Sequence, residues 1–181
     1  MDEAIARALH DELFAHAETR VYAIFDGAAT PGLLDQLYGD PRPDFVCLFP
    51  GALEPDMAEV APYLALLEPE SDFTQWALGN WGQSRAIFAV SQAELWRLRN
   101  HFRWLVTILG PKGRRLNFRF YDPRVLRVLM PTFDRDQMNA LFGPVLTYCL
   151  EGEDPNVLLR YRPDPRGPRA ESVPLVAPTE A

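Results

Sequence analysis

The most regular apolar pattern in the chain runs from Leu95 through Leu98 and Phe102 to Leu105, at steps of three, four and three residues. That is the period of one helix face. Ser91-Gln-Ala-Glu94 stands just before it and has the form of a capping box, so the pattern predicts a helix beginning at Ser91. Ile5, Leu9, Leu13 and Phe14 predict another over about residues 2–17. Shorter helices are expected after Pro31, over Phe73–Leu78 with Asp72 as its cap, and over Arg135–Phe142, closed by Gly143-Pro144.

Between these lie short apolar runs of strand length: Val21–Ala28, Phe45–Phe49, Ala61–Glu68, Arg85–Ser91, Trp104–Leu109, Val145–Leu150 and Val157–Arg162. Pro62 assigns the Ala61–Glu68 run to an edge or terminal strand. Leu116–Tyr121 alternates, with Leu116, Phe118 and Phe120 expected inward and Asn117, Arg119 and Tyr121 outward. Pro111–Arg114 supplies a turn before it, so Trp104–Tyr121 reads as a hairpin. Asp122-Pro123 then starts a helix, aspartate as cap and proline in its first position, which stops before Pro131. Apolar periodicity fades after Pro163, and the last 31 residues hold six of the 17 prolines. The elements sum to a mixed α/β (α+β) domain: a mixed, partly antiparallel sheet flanked by helices. It divides into an N-terminal helix in 1–19, a core over 20–150, and a terminal strand with a flexible Pro-rich tail in 151–181.

Composition adds a compartment and a charge map. With 181 residues, 48% hydrophobic and 24% charged, the chain is long and apolar enough to bury a core without disulfides or metal. Its two cysteines, Cys47 and Cys149, sit in apolar runs and read as buried free thiols. Reduced cysteines, an acidic N-terminus without signal-peptide features and the lack of a membrane-length apolar run give the expectation of a soluble cytoplasmic protein. Residues 97–127 carry nine basic residues against Asp122 alone, a net +8 that leaves −15 for the rest of a chain whose total is −7. Either acidic neighbours in the fold neutralise this block, or it meets an acidic partner surface. The exposed pair expected to do so is Arg114 and Arg115. Nucleic acid is not expected as a partner of so acidic a chain.

Candidate chemistry is sparse. His10 and His16, six apart, do not share a helix face, and no zinc, nucleophile-elbow, Walker or dinucleotide motif occurs. No catalytic residue, metal or other cofactor is expected. Asp26-Gly27 at a strand end could ligate magnesium or act as a base, but reads better as a turn. His101, Arg103, Arg119, Tyr121, Asp122 and Arg124 form a candidate polar cluster, an anion site in an enzyme or a scaffold orienting the hairpin otherwise. The scaffold reading is preferred because no nucleophile accompanies the cluster. The alternative is a small metal- or acid/base-dependent hydrolase using Asp26 with Arg119, Asp122 and Arg124.

Five landmarks, in one order, resemble a known family. They are Tyr22–Ala28 (Y-A-I-F-D-G-A), Ala61–Leu64 (A-P-Y-L), Ser91–Arg103 (ending H-F-R), Leu116–Leu126 (L-N-F-R-F-Y-D-P-R-V-L) followed by L-M-P-T-F, and Phe142–Pro144 (F-G-P). The family is that of the effector adaptor-chaperones of bacterial type VI secretion, long described only as a domain of unknown function and encoded beside spike and effector genes. The resemblance covers about residues 20–150, with Phe102 where the family often has leucine. It implies a non-catalytic protein that binds a cognate toxic effector in the cytoplasm and loads it onto the spike (valine-glycine repeat) protein.

Overall fold

The apolar runs fold into one sheet because each has two faces to cover. The computed structural model describes residues 3–109, 113–164 and 169–176. The strands of the main sheet are β1 (Arg20–Asp26), β2 (Phe45–Cys47), β3 (Pro62–Leu67), β4 (Ala86–Ser91), β7 (Thr147–Glu151), β8 (Val157–Arg162) and β9 (Arg169–Pro174), in the order β2-β3-β1-β4-β7-β8-β9. Every pairing in it is antiparallel. Thr107–Leu109 (β5) and Arg115–Asn117 (β6) make a separate two-stranded hairpin.

Along β1, Tyr22 and Ile24 enter one core while Val21, Ala23 and Phe25 enter another. The first core is closed by α5 (Leu95–Val106), α6 (Pro123–Leu129) and α7 (Arg135–Phe142) through Leu98, Phe102, Leu126 and Leu141. The second is closed by α1 (Glu3–Leu13), α2 (Leu33–Leu37) and α4 (Asp72–Gly79) through Leu9, Leu13, Leu37 and Phe73. α3 (Pro55–Val60) buries no residue. Helices on both faces explain why β1 and β4 read as continuous apolar runs, a pattern otherwise typical of buried parallel strands.

Several local expectations are corrected. Ser91 is the last residue of β4, and its hydroxyl donates to the Pro144 carbonyl (2.6 Å) and accepts from the Ala93 amide (3.0 Å), so no capping box forms. α5 starts at Leu95 and runs to Val106, taking in the first half of the segment expected as a strand. The hydroxyl of Ser71, not Asp72, caps α4 by accepting from the Thr74 amide (3.1 Å). The edge position expected for β3 goes instead to β2; Pro62 is tolerated at the first residue of β3. The segment expected as a tail contains β9, which pairs with β8 over six residues and brings Leu175 into the second core.

The alternation expected in Leu116–Tyr121 fails at Leu116 and Tyr121 and holds between them, from Phe120 back to Asn117. There β6 ends, and the Asp122 amide donates to the Arg119 carbonyl (3.1 Å) in a turn. The turn rotates Tyr121 inward, to 2% exposed; Leu116, within β6, is 41% exposed. Phe120 is buried and Phe118 half-buried, as the alternation predicts.

Candidate functional site

Asp26 ends β1 and Asp122 caps α6; both carboxylates are buried. Arg119, from the turn between β6 and α6, joins them. Its guanidinium pairs with Asp26 and lies 3.7 Å from Asp122. Arg124 completes the chain in two-point geometry: Nε donates to Asp122 Oδ1 (3.0 Å) and Nη2 to Oδ2 (2.8 Å), while the Arg124 amide donates to Oδ1 (2.9 Å). Burial pushes the Asp122 carboxyl up, but the hydrogen bonds and charge of Arg124 and the charge of Arg119 outweigh it, and the net shift is downward. Arg119 is raised, first by its hydrogen bond to Asp26. Tyr121, buried beside this chain of charges, is held above the ordinary phenol value, chiefly by burial.

The other two members of the sequence cluster lie elsewhere. His101 Nε2 sits 2.9 Å from the Leu141 carbonyl at the end of α7, which requires the proton on Nε2. Burial lowers its pKa and that hydrogen bond partly restores it. A Cβ on Gly143 would fall 2.5 Å from His101 Cε1, and Gly143 has φ +46°, so the histidine ring occupies space that only glycine leaves. Arg103 reaches the opposite way and donates to the carbonyls of Cys47 (2.9 Å) and Phe49 (3.2 Å), holding the end of β2 against α5. The structure thus gathers Arg119, Tyr121, Asp122 and Arg124 around Asp26, and separates His101 and Arg103 from them.

The basic block is partly consumed by these contacts. Arg103, Arg119, Arg124 and Arg127, the last on the Gly152 carbonyl (2.9 Å), are spent inside the fold. Arg97 and Arg114 are exposed. Arg115 lies in β6, and its side chain is outside the described residues.

Two further features were not legible in the sequence. Glu151, buried at the end of β7, accepts from the amides of Gly82 and Ser84 (2.9 Å each) and so fastens the loop before β4. Burial raises its pKa against those hydrogen bonds. The other is an open apolar groove of about 330 Å³ between α5, the β5–β6 hairpin and α7, lined by Trp104, Ile108, Phe118, Leu129, Phe133 and Ala140. Trp104 is 63% exposed and Ile108 40%. A tryptophan one residue off the apolar stripe of α5 was the available signal. Exposed apolar side chains lining a concavity are the usual mark of a protein-binding surface.

A larger cavity, about 530 Å³, opens where β1 ends, lined by Gly27, Pro31, Gly32 and the start of α2 with Glu59 and Val60; Asp26 does not line it. Among the described residues no group of three or more His, Cys, Asp or Glu side chains could hold a metal ion. Cys149 is buried and its thiol is pushed up to about 12 by that burial; Cys47 is half-buried and also raised, so neither thiol is poised as a nucleophile.

Fold and site together define a mixed α+β domain whose charged cluster ties elements to one another and whose open surface is apolar. The chain belongs to the family described as Domain of unknown function (DUF4123), whose model matches residues 21–140. Comparison with curated proteins and with solved structures gives no match. No helix among the described residues is long and apolar enough to cross a membrane.

Proposed function

We propose that this protein is a type VI secretion adaptor-chaperone, which binds a cognate toxic effector in the cytoplasm and presents it to the spike protein. The supporting observation is the apolar groove beside α5, set in the family-matched region 21–140 that carries the resemblance to such adaptors. A carrier needs an accessible apolar surface to shield its cargo, and Trp104 and Ile108 supply one. The protein is read as non-catalytic, without cofactor. In the alternative hydrolase, Asp26 would have to meet substrate, whereas its carboxylate is 1% exposed and engaged by Arg119.

The test is co-purification with the proteins encoded on either side of this chain's gene, followed by an effector-delivery assay in a deletion strain. One neighbour should bind stoichiometrically, and its delivery should fail without this protein. A lack of binding by either neighbour, together with a turnover abolished by Asp26→Ala, would sink the adaptor reading in favour of the hydrolase.

A further inference from the structure

We infer that the groove beside α5 receives an amphipathic, acidic segment of the protein partner; the inference deepens the adaptor reading and rests on it. The apolar part follows from the lining: Trp104 from α5 and Ile108 from β5, Leu129 from α6 and Ala140 from α7, with Phe118 and Phe133 from the segments between. Side chains of a helix, spaced three and four residues apart, fit such an open trough.

The acidic part follows from charge. From Leu95 to Tyr121 the chain has seven basic residues and no acid, whereas the remainder carries −14. Trp104, Leu105, Ile108 and Phe118 of that run line the groove, and two of its basic residues, Arg103 and Arg119, are engaged elsewhere. Arg97 lies two turns before Trp104 on the same face of α5, and Arg114 stands at the tip of the hairpin beyond Ile108; both are exposed. Positive charge therefore brackets the apolar trough at its two ends. The start of α7, next in sequence to the lining residues Phe133 and Gln137, carries Arg135 and Asp136, one of each sign, and Asp134, whose carboxylate is occupied in capping α7 through the Gln137 amide (2.8 Å). A basic segment would meet repulsion at both ends, and an acidic one attraction.

A second copy of this chain also has a segment of that chemistry. α3 exposes Met57 and Val60 among Glu54, Asp56 and Glu59. Self-association is therefore measured in the same experiment.

The probes are two fluorescein-labelled helical peptides of identical leucine spacing, one with glutamate and one with lysine at the remaining positions, and the co-encoded effector itself. Binding is read by anisotropy at low and high salt on wild type, Trp104→Ala, Ile108→Glu and Trp96→Ala. Trp96 is as exposed as Trp104 but lies outside the groove, and all three side chains are exposed enough for the variants to fold. The glutamate peptide should bind about tenfold tighter than the lysine peptide, lose about tenfold in Trp104→Ala and Ile108→Glu, and stay within about twofold in Trp96→Ala. The effector should follow the same order.

If the effector binds and the groove variants bind it as well as wild type, the groove inference falls and the adaptor reading stands. If neither neighbour binds and Asp26→Ala abolishes a turnover, while the glutamate peptide shows the expected order, the adaptor reading falls and the groove stands. Equal affinity for the two peptides overturns the acidic occupant. A dimer in sedimentation that Ile108→Glu dissolves assigns the groove to a second copy and overturns the partner inference.

Discussion

Asp26 is where the hydrolase and adaptor readings part, and the difference is one arginine. As a strand-end acid before glycine it has the form of a catalytic base; with Arg119 across it, it is half of an ion pair that ties β1 to the turn before α6. Arg119→Met should therefore cost stability. Arg119 is itself 45% exposed, so the loss should fall near 1–3 kcal/mol in denaturant unfolding rather than the larger figure for a fully buried pair. A loss below about 0.5 kcal/mol would show the pair to be ornamental. His101 gives a pH prediction. Its folded pKa is lowered, first by burial, so the unfolded chain takes up a proton near pH 6.5 while the folded protein stays neutral. The stability contribution is complete above that value and is lost as pH falls below it toward the folded pKa. Thermal midpoints between pH 7.5 and 5.5 should drop for the wild type and drop less for His101→Gln.

At the scale of elements, the informative one is β9. Its sequence, Arg169–Pro174, contains proline and charge and has no apolar alternation to announce a strand. It forms because β8 offers an open edge and Leu175 a place in the second core, and because edge strands tolerate proline and charge, which also discourage further pairing. Ending the chain at Arg162 should lower stability by at least about 2 kcal/mol from lost burial of Leu175 and lost pairing, and should raise light scattering as the β8 edge is uncovered. Unchanged midpoint and scattering would mean that β9 is dispensable. The α5 boundary teaches a related lesson. A sound cap signature at Ser91 went unused because β4 and the Pro144 carbonyl claimed the serine first.

At the scale of the whole molecule, charge separation matters more than net charge. The face built from α5 and the hairpin is positive on a chain of −7. Arg97→Glu with Arg114→Glu should weaken effector binding mainly through slower association, and should flatten its dependence on salt. Stopped-flow association rates at several ionic strengths measure this, and rates equal to wild type would remove electrostatic steering from the account.

Local and periodic features were readable from the sequence alone. Apart from Trp104–Leu109, whose first half joined α5, the apolar runs became strands; the Leu95–Leu105 stripe became the buried face of α5, Asp122-Pro123 became a cap and first turn, and the Asp122–Arg124 pair followed from two residues' separation. Periodicity encodes which face of an element is apolar, and caps act over a single turn, so both survive in one dimension. Tertiary structure decided the rest. Asp26 and Arg119 are 93 residues apart, Glu151 and Gly82 are 69 apart, and the wall of the groove is shared by α5, the hairpin and α7. Which polar groups meet, and which apolar side chains are left exposed, depends on how covered faces pack against one another. Leu116 and Tyr121 depart from the alternation for that reason: a turn beyond β6 brings Tyr121 inward, and Leu116, in a hairpin separate from the main sheet, stays 41% exposed.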